Sequence, residues 1–225
     1  MFLQNAISKR INDNNPVKVA LIGAGKFGSM FLSQVPSTLG IEVLVIADLK
    51  PDNAVKACKN VGWSDDLINK TKFVDRGTDA IKLNEVEVVI EATGFPAAGI
   101  EHARQAFQNG KHIIMVNVEA DVLAGAALVK EANSAGVVYS MAYGDQPALT
   151  AEIVEWARAS GFNVTSAGKG TRYQPIYHKS SPDTVWDYYG LTHEEAKKAG
   201  MNPKMFNSFL DGTKSGLEMA AIANA

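Results

Sequence analysis

The sequence has 225 residues, of which 46% are hydrophobic and 20% are charged. These fractions are those of ordinary globular proteins, so the composition excludes intrinsic disorder as the main state and allows a substantial buried core. Lys and Arg total 22 against 24 Asp and Glu, which gives a formal net charge of −2. Such a balance lacks the basic surface of nucleic-acid and anionic-membrane binders, so we expect neither partner.

Cysteine and histidine usage excludes further classes of protein. Cys58 is the single cysteine, which rules out a disulfide framework and a cysteine-based zinc site. The four histidines show no metal-ligand spacing, so no metal site is expected. The N-terminus lacks the apolar segment of a secretory signal, and no run of about 18 apolar residues is present. These features favour a soluble, cytoplasmic protein.

Strand-like and helical segments alternate through the first two thirds of the chain. A leading helix is predicted at Phe2–Ile11, where apolar residues recur at helical spacing. The predicted strands, rich in Val and Ile, are Val17–Ile22, Glu42–Ala47, Val86–Glu91, His112–Val116 and Val137–Met141. The predicted helices between them are Lys26–Gln34, Asp52–Asn60, Pro96–Asn109 and Ala120–Ala135. This order predicts an α/β fold with a doubly wound parallel sheet of the Rossmann type.

The character of the chain changes after about residue 147. The predicted elements here are a helix at Pro147–Ser160, a strand at Phe162–Ser166, a polar and aromatic stretch from Gly168 to Tyr189, a helix at Thr192–Ala199 and a last helix beginning near Thr213. We therefore expect a dinucleotide-binding domain at residues 1–146. Residues 147–225 are expected to form a partial α+β substrate region, truncated within its last helix.

A glycine-rich loop lies between the first predicted strand and the helix that follows it. Gly23 permits a tight turn, Gly25 lets the backbone approach a pyrophosphate, and Gly28 lets helix and strand pack closely. Asp48 ends the second strand, twenty positions beyond Gly28, where an acidic residue can bind a ribose hydroxyl. This carboxylate favours NAD, whereas the nearby Lys50 leaves NADP open.

Small and polar residues also follow the other predicted strands. Thr93 and Gly94 can let a nicotinamide ribose approach the backbone, with simple turn chemistry as the alternative. Glu119 and Asp145 can orient a substrate or move protons, and a helix cap or turn is an equal alternative for each. The predicted cofactor-binding set is Gly23, Gly25, Lys26, Phe27, Gly28, Asp48, Leu49, Thr93, Gly94 and Asn117.

Two lysines stand out in the second region. Lys169 lies between two glycines, whose exposed N–H groups together with the ammonium make a seat for a carboxylate or phosphate. Asp211 is expected to be the N-cap of the last helix, with Lys214 on the same side of its first turn. An ordinary salt bridge between these two residues is the alternative to a catalytic role.

Taken together, the motifs resemble a known family. The segments GAGKFG, IADLKPD, EATG, VNVEADVLAG, YGDQPA, SAGKGTRY and GMNPKMFNSFLDGTKSGLEMA resemble the homoserine dehydrogenase-like oxidoreductases. The resemblance is to the branch that carries a C-terminal SAF domain and includes a deoxyxylulose-phosphate reductoisomerase-like enzyme. It implies an NAD(P)-binding Rossmann domain, a substrate domain whose sheet also makes a dimer, and hydride transfer at a carbonyl or alcohol carbon. Where homoserine dehydrogenases have Asn-Lys, this chain has Asn117-Val118, which argues against homoserine as the substrate.

These observations predict a dehydrogenase or reductase acting on a small, anionic oxo or hydroxy compound. Lys214 is the predicted proton donor or acceptor, and Lys169 the residue that holds the anionic group or polarises the carbonyl. Asp211 and Asp145 are expected to position the lysines or substrate hydroxyls. One alternative is a sugar-phosphate reductoisomerase, with a divalent metal held by Glu119 and Asp145. Another is a non-catalytic dinucleotide sensor.

Overall fold

A computed structural model describes residues 3–225 and divides the chain into two compact units, Met1–Ala142 and Tyr143–Ala225. The predicted boundary was four residues further on. That the second unit serves substrate binding and dimerisation stays a prediction. Phe2, the first residue of the predicted leading helix, lies outside the described residues.

The first unit is an α/β domain built on a six-stranded parallel sheet with the order β3-β2-β1-β4-β5-β6. Its strands are β1 Val17–Ile22, β2 Ile41–Ala47, β3 Lys72–Val74, β4 Val88–Glu91, β5 His112–Met115 and β6 Tyr139–Met141. Its helices are α1 Leu3–Asn12, α2 Lys26–Gln34, α3 Pro51–Asn60, α4 Asp65–Lys70, α5 Gly77–Ile81, α6 Pro96–Gln108 and α7 Val118–Ala135, with a 3₁₀ turn at Val35–Ser37. This strand order is that of the Rossmann fold, so the predicted fold class is confirmed.

One strand and two helices of this sheet domain were not predicted. They are β3 and the short helices α4 and α5, which flank it. The strand has only three residues, too few for a periodic hydrophobic pattern. β3 pairs in parallel with β2 and forms the edge of the sheet. This pairing places residues Asp75 and Arg76, which follow β3, beside the cleft described below.

Buried packing fixes the helix that follows the glycine loop. Leu32 of α2 is fully buried, and the Trp63 indole, 5% exposed, donates a hydrogen bond to the Leu32 carbonyl oxygen at 2.7 Å. Cys58 lies in the same core, and burial raises the pKa of its thiol to about 11. The interpretation of Cys58 as a packed apolar side chain rather than a reactive thiol agrees with this.

The leading helix α1 packs on the sheet domain. The Arg10 guanidinium pairs with Glu87 at 2.6 Å, and Ile7 and Ile11 lie over Gly40, where a Cβ atom would come within 2.7 Å of the Ile7 side chain. No helix of the described residues is long and apolar enough to cross a membrane.

The second unit is helical. It contains α8 Gln146–Ala159, α9 Val185–Tyr189, α10 His193–Lys198, α11 Pro203–Leu210 and α12 Thr213–Asn224, with a 3₁₀ helix at Pro175–Lys179. The strand predicted at Phe162–Ser166 is wrong, because this segment pairs with no other strand in the part of the chain that the structure describes. Phe162 instead stacks on Trp156 of α8, with ring centroids 6.5 Å apart.

Candidate active site

A cleft of about 540 Å³ opens at the carboxyl ends of β1, β2, β3 and β4. In parallel sheets of this kind, ligands bind outside those strand ends. Five residues predicted from the sequence line the cleft: Gly23, Gly25, Asp48, Leu49 and Thr93. The first unit thus brings the glycine loop, the acidic residue after β2 and the turn after β4 to one cavity.

The glycine loop has the backbone geometry that the motif requires. Gly23 adopts φ +97°, and a Cβ atom there would lie 2.7 Å from the Ala92 carbonyl oxygen. A Cβ at Gly28 would overlap the carbonyl oxygen of Gly23. Helix α2 can therefore lie this close to the loop only because residue 28 is a glycine. A Cβ at Gly25 would meet nothing within 4 Å. Gly25 therefore leaves open space where the loop faces the cleft.

Helix α2 begins beside this open space without a side-chain cap. Gly25 is its N-cap residue and supplies no capping hydrogen bond, so the first N–H groups of the helix remain available to an anion. Lys26 and Phe27, the first two helical residues, are exposed, Phe27 by 40%. The geometry matches a helix N-terminus that binds a phosphate.

Asp48 connects the end of β2 to the glycine loop. One carboxylate oxygen accepts a hydrogen bond from the Ala24 N–H at 3.1 Å, and the other accepts from the Lys50 N–H at 3.0 Å. Each oxygen can accept a second bond, so the carboxylate can both order the loop and receive a ribose hydroxyl. Leu49 is 91% exposed at the rim.

The turn after β4 is held by a buried polar cluster. Glu91 is fully buried, and its Oε1 accepts from the hydroxyl of Thr93 and lies 3.3 Å from Nδ1 of His102. Asn117 is 2% exposed; its side chain accepts from the Ala120 N–H at 3.2 Å and donates to the Phe95 carbonyl oxygen at 3.0 Å. The Asn117 amide therefore holds the turn after β4 in place from within the protein.

Replacing Asn117 with Ala is expected to lower the free energy of unfolding by about 1–2 kcal/mol, because α7 loses its N-cap and the Phe95 carbonyl loses its donor. The affinity for NADH should fall as well, since the turn at Thr93 and Gly94 is no longer fixed. Urea denaturation and an NADH titration measure the two effects. Ser64→Ala, which removes the N-cap of α4, is the control and should lower stability alone. Equal NADH affinities in all three proteins would contradict this role of Asn117.

In the second unit, the structure brings Lys169 and Lys214 to one buried carboxylate that was not predicted. Glu218 is 3% exposed; its Oε2 pairs with the Lys169 ammonium, and its Oε1 lies 3.4 Å from the Lys214 ammonium. Both lysine side chains stay partly accessible, at 21% and 31%. Two cations from separate segments thus share a single anion.

The expected capping role of Asp211 needs correction. Gly212, with φ +88°, is the N-cap of α12, whereas Asp211 is the C-cap residue of α11. Its carboxylate still accepts from the Thr213 N–H at 2.9 Å and from the Asn207 amide at 2.9 Å. Lys214 pairs with Glu218, one turn further along α12, whereas Asp211 lies outside that helix.

Glu119 and Asp145 lie in different units. Glu119 is exposed in the first turn of α7. Asp145 is the N-cap of α8, and its carboxylate accepts from the Gln146 N–H at 2.9 Å. The described residues contain no group of three or more His, Cys, Asp or Glu side chains that could hold a metal ion.

Sequence reasoning missed several residues around both sites. The cleft is also lined by the segment Asp75–Thr78, which leads into α5, and by Glu101 and His102 of α6, and Glu91 lies behind it. One feature could have indicated Glu91: a charged residue that ends an otherwise apolar strand. A comparable feature for Glu218 is its position one helical turn after Lys214.

Comparison with known proteins matches the two units to two families. Residues 23–142, more than half of the chain, match the model of the homoserine dehydrogenase NAD-binding domain. The chain belongs to this family. Residues 144–225 match the model of the catalytic domain of oxidoreductase DRL. Along the chain, the boundary between the two matched segments coincides with the boundary between the two compact units.

Solved structures share the fold of this chain at low sequence identity. The myo-inositol dehydrogenase of Lactobacillus casei, in complex with NAD(H) and myo-inositol, is 17% identical over 76% of this chain and 50% of its own, with a TM-score of 0.52. A putative oxidoreductase of Klebsiella pneumoniae is 19% identical over 79% of this chain and 48% of its own, with a TM-score of 0.50. The chain spans about half the length of these two structures. No curated protein matches the chain.

Proposed function

We propose that the chain is an NAD(P)-dependent oxidoreductase that transfers a hydride to or from a small, anionic oxo or hydroxy substrate. The observation that carries the proposal is the cleft at the strand ends, where the glycine loop and Asp48 meet. The family match to an NAD-binding domain and the match to an oxidoreductase catalytic domain support it.

The residues present fit a dinucleotide. The open space at Gly25 is a cradle that a Cβ atom would fill, and the uncapped N-terminus of α2 supplies N–H donors and a positive dipole for the pyrophosphate. Asp48 would accept a ribose hydroxyl, and Thr93 and Gly94 would border the nicotinamide side. The nicotinamide supplies the hydride chemistry when bound, whereas the protein supplies orientation and electrostatics.

The two lysines of the second unit are the proposed substrate-binding and proton-transfer residues. Lys169 would bind the anionic group, and Lys214 would give or take the proton at the reacting oxygen. Asp211 and Asp145 would position the lysines or the substrate hydroxyls. Both lysine side chains are partly exposed, which supports this assignment.

We further propose that NAD is the preferred cofactor, because the Asp48 carboxylate repels a 2′-phosphate. Asp48→Asn keeps the shape and an acceptor oxygen but removes the charge. The ratio of the dissociation constants for NADPH and NADH should therefore fall by about tenfold or more, which corresponds to about 1.4 kcal/mol. Titration of both cofactors measures the ratio, with Asp52→Asn in α3 as the control that leaves it unchanged. A wild-type protein that prefers NADPH would contradict the assignment.

The reaction is tested by a turnover screen. The full chain is incubated with NAD or NADP and a panel of polyols, hydroxy acids and sugar phosphates, and the nicotinamide absorbance is followed. Turnover on an anionic hydroxy compound is the expected result. Tight cofactor binding without turnover on any member of the panel would favour a dinucleotide sensor instead.

A second candidate is a sugar-phosphate reductoisomerase, which rests on the resemblance to the branch that includes a deoxyxylulose-phosphate reductoisomerase-like enzyme. It predicts activity that a divalent-metal chelator removes. Membership of the branch with a C-terminal SAF domain, a homodimeric or higher homo-oligomeric state and a cytoplasmic location also stay predictions.

A further inference from the structure

Glu218 is a buried carboxylate that joins both candidate substrate-site lysines. It lies in α12, one turn after Lys214, whereas Lys169 comes from the irregular segment that precedes α9. Each oxygen of the carboxylate contacts a different ammonium group. Because a buried carboxylate is costly unless it is paired, this arrangement ties two distant segments to one point.

The backbone around Lys169 packs on α12 beside Glu218. The Lys169 N–H contacts Sδ of Met219 at 3.3 Å, and a Cβ atom at Gly168 would lie 2.8 Å from the methyl carbon of Met219. Met219 is the residue next to Glu218. The Lys169 segment therefore meets the helix through both its main chain and its ammonium group, and the carboxylate sets where that ammonium lies.

We propose that Glu218 is a positioning residue that holds the Lys169 and Lys214 ammonium groups at the distance a small anionic substrate needs. The inference rests on the proposed function, because it takes these lysines as the substrate side of the site. Two cations and one anion leave a single net positive charge at the cluster. Glu218 thus fixes the lysines and at the same time weakens their attraction for an anion.

In Glu218→Gln, the loss of positioning lowers the rate of turnover, whereas the loss of negative charge strengthens substrate binding. Loss of the carboxylate lets both long side chains leave their places, so kcat should fall by at least about tenfold. Loss of its charge strengthens anion binding, so KM for an anionic substrate should fall. If Glu218 had a purely structural role, Glu218→Gln would lower the fraction of active enzyme, and the remaining enzyme would keep the wild-type KM. A substitution that restores the negative charge would then restore no activity.

Glu218→Asp is the conservative variant. It keeps the charge but is one methylene shorter, so it can reach one lysine and not both. It should restore the wild-type KM and recover part of kcat. Glu131→Gln, which breaks the exposed pair with Arg104 in the first unit, is the control and should leave both constants unchanged.

A second readout needs no turnover. The full chain is treated with a limiting amount of an amine-acetylating reagent, and labelling of each lysine is measured by peptide mass spectrometry. In Glu218→Gln, labelling of Lys169 and Lys214 should rise at least about threefold relative to the exposed Lys198, because their ammonium groups lose the ion pair. Unchanged labelling, or raised labelling with an unchanged kcat, overturns the inference. A wild-type protein without turnover overturns the proposed function, and labelling then decides separately whether Glu218 holds the lysines.

Discussion

Replacement of Lys214 with Met is expected to lower kcat by at least about 100-fold while the dissociation constant for NADH stays within about twofold of the wild-type value. Met has a similar length and shape but cannot carry a proton to the reacting oxygen. The pair with Glu218 is lost at the same time, yet Lys169 still neutralises that carboxylate. Steady-state kinetics on the substrate found by the turnover screen, together with an NADH titration, measure the two quantities.

The control for this variant is Lys198→Met, at an exposed position of α10. It removes the same charge from the second unit and should leave kcat unchanged. Full activity of Lys214→Met, or an equal loss in both variants, would remove Lys214 from the mechanism.

Two alanine substitutions in the glycine loop are expected to separate folding from cofactor binding. A Cβ at Gly28 overlaps the Gly23 carbonyl oxygen, so Gly28→Ala should lower the free energy of unfolding by about 1–3 kcal/mol and weaken NADH binding. A Cβ at Gly25 meets nothing within 4 Å, and Gly25 has φ −69°, which alanine adopts freely. Gly25→Ala should therefore keep wild-type stability and lose NADH affinity by at least about tenfold, since the methyl group takes the space of the pyrophosphate.

Gly216→Ala in α12 is the matched control. Its Cβ also meets nothing within 4 Å, and the position lies in the second unit. NADH affinity should be unchanged. Thermal denaturation and cofactor titration of the three variants distinguish the effects; a destabilised Gly25→Ala would contradict the open geometry of the loop.

The local motif made the cofactor side of this protein largely predictable. Strand β1 and helix α2 have the predicted bounds because the glycine loop constrains the chain on both sides of it. The position of Asp48 beside that loop also follows from its place at the end of β2, since the ends of neighbouring parallel strands lie together.

The remaining parts of the site depend on tertiary contacts that no local pattern encodes. Strand β3 is three residues long and is defined by its pairing with β2. Phe162 is apolar enough to suggest a strand but packs on Trp156 instead. Nothing in the local sequence marks Glu218, because glutamate is usually exposed on protein surfaces. Its role between the two lysines depends on Lys169, which is 49 residues away in the sequence and contacts α12 only in the folded protein.

Titration calorimetry of the full chain with NADH tests the central claim most directly, because every functional proposal for this protein depends on a dinucleotide in the cleft of the first unit. The predicted result is saturable binding to wild-type protein that Gly25→Ala loses at an unchanged melting temperature. Absence of binding to the folded wild-type protein, or equal binding by Gly25→Ala, would contradict it.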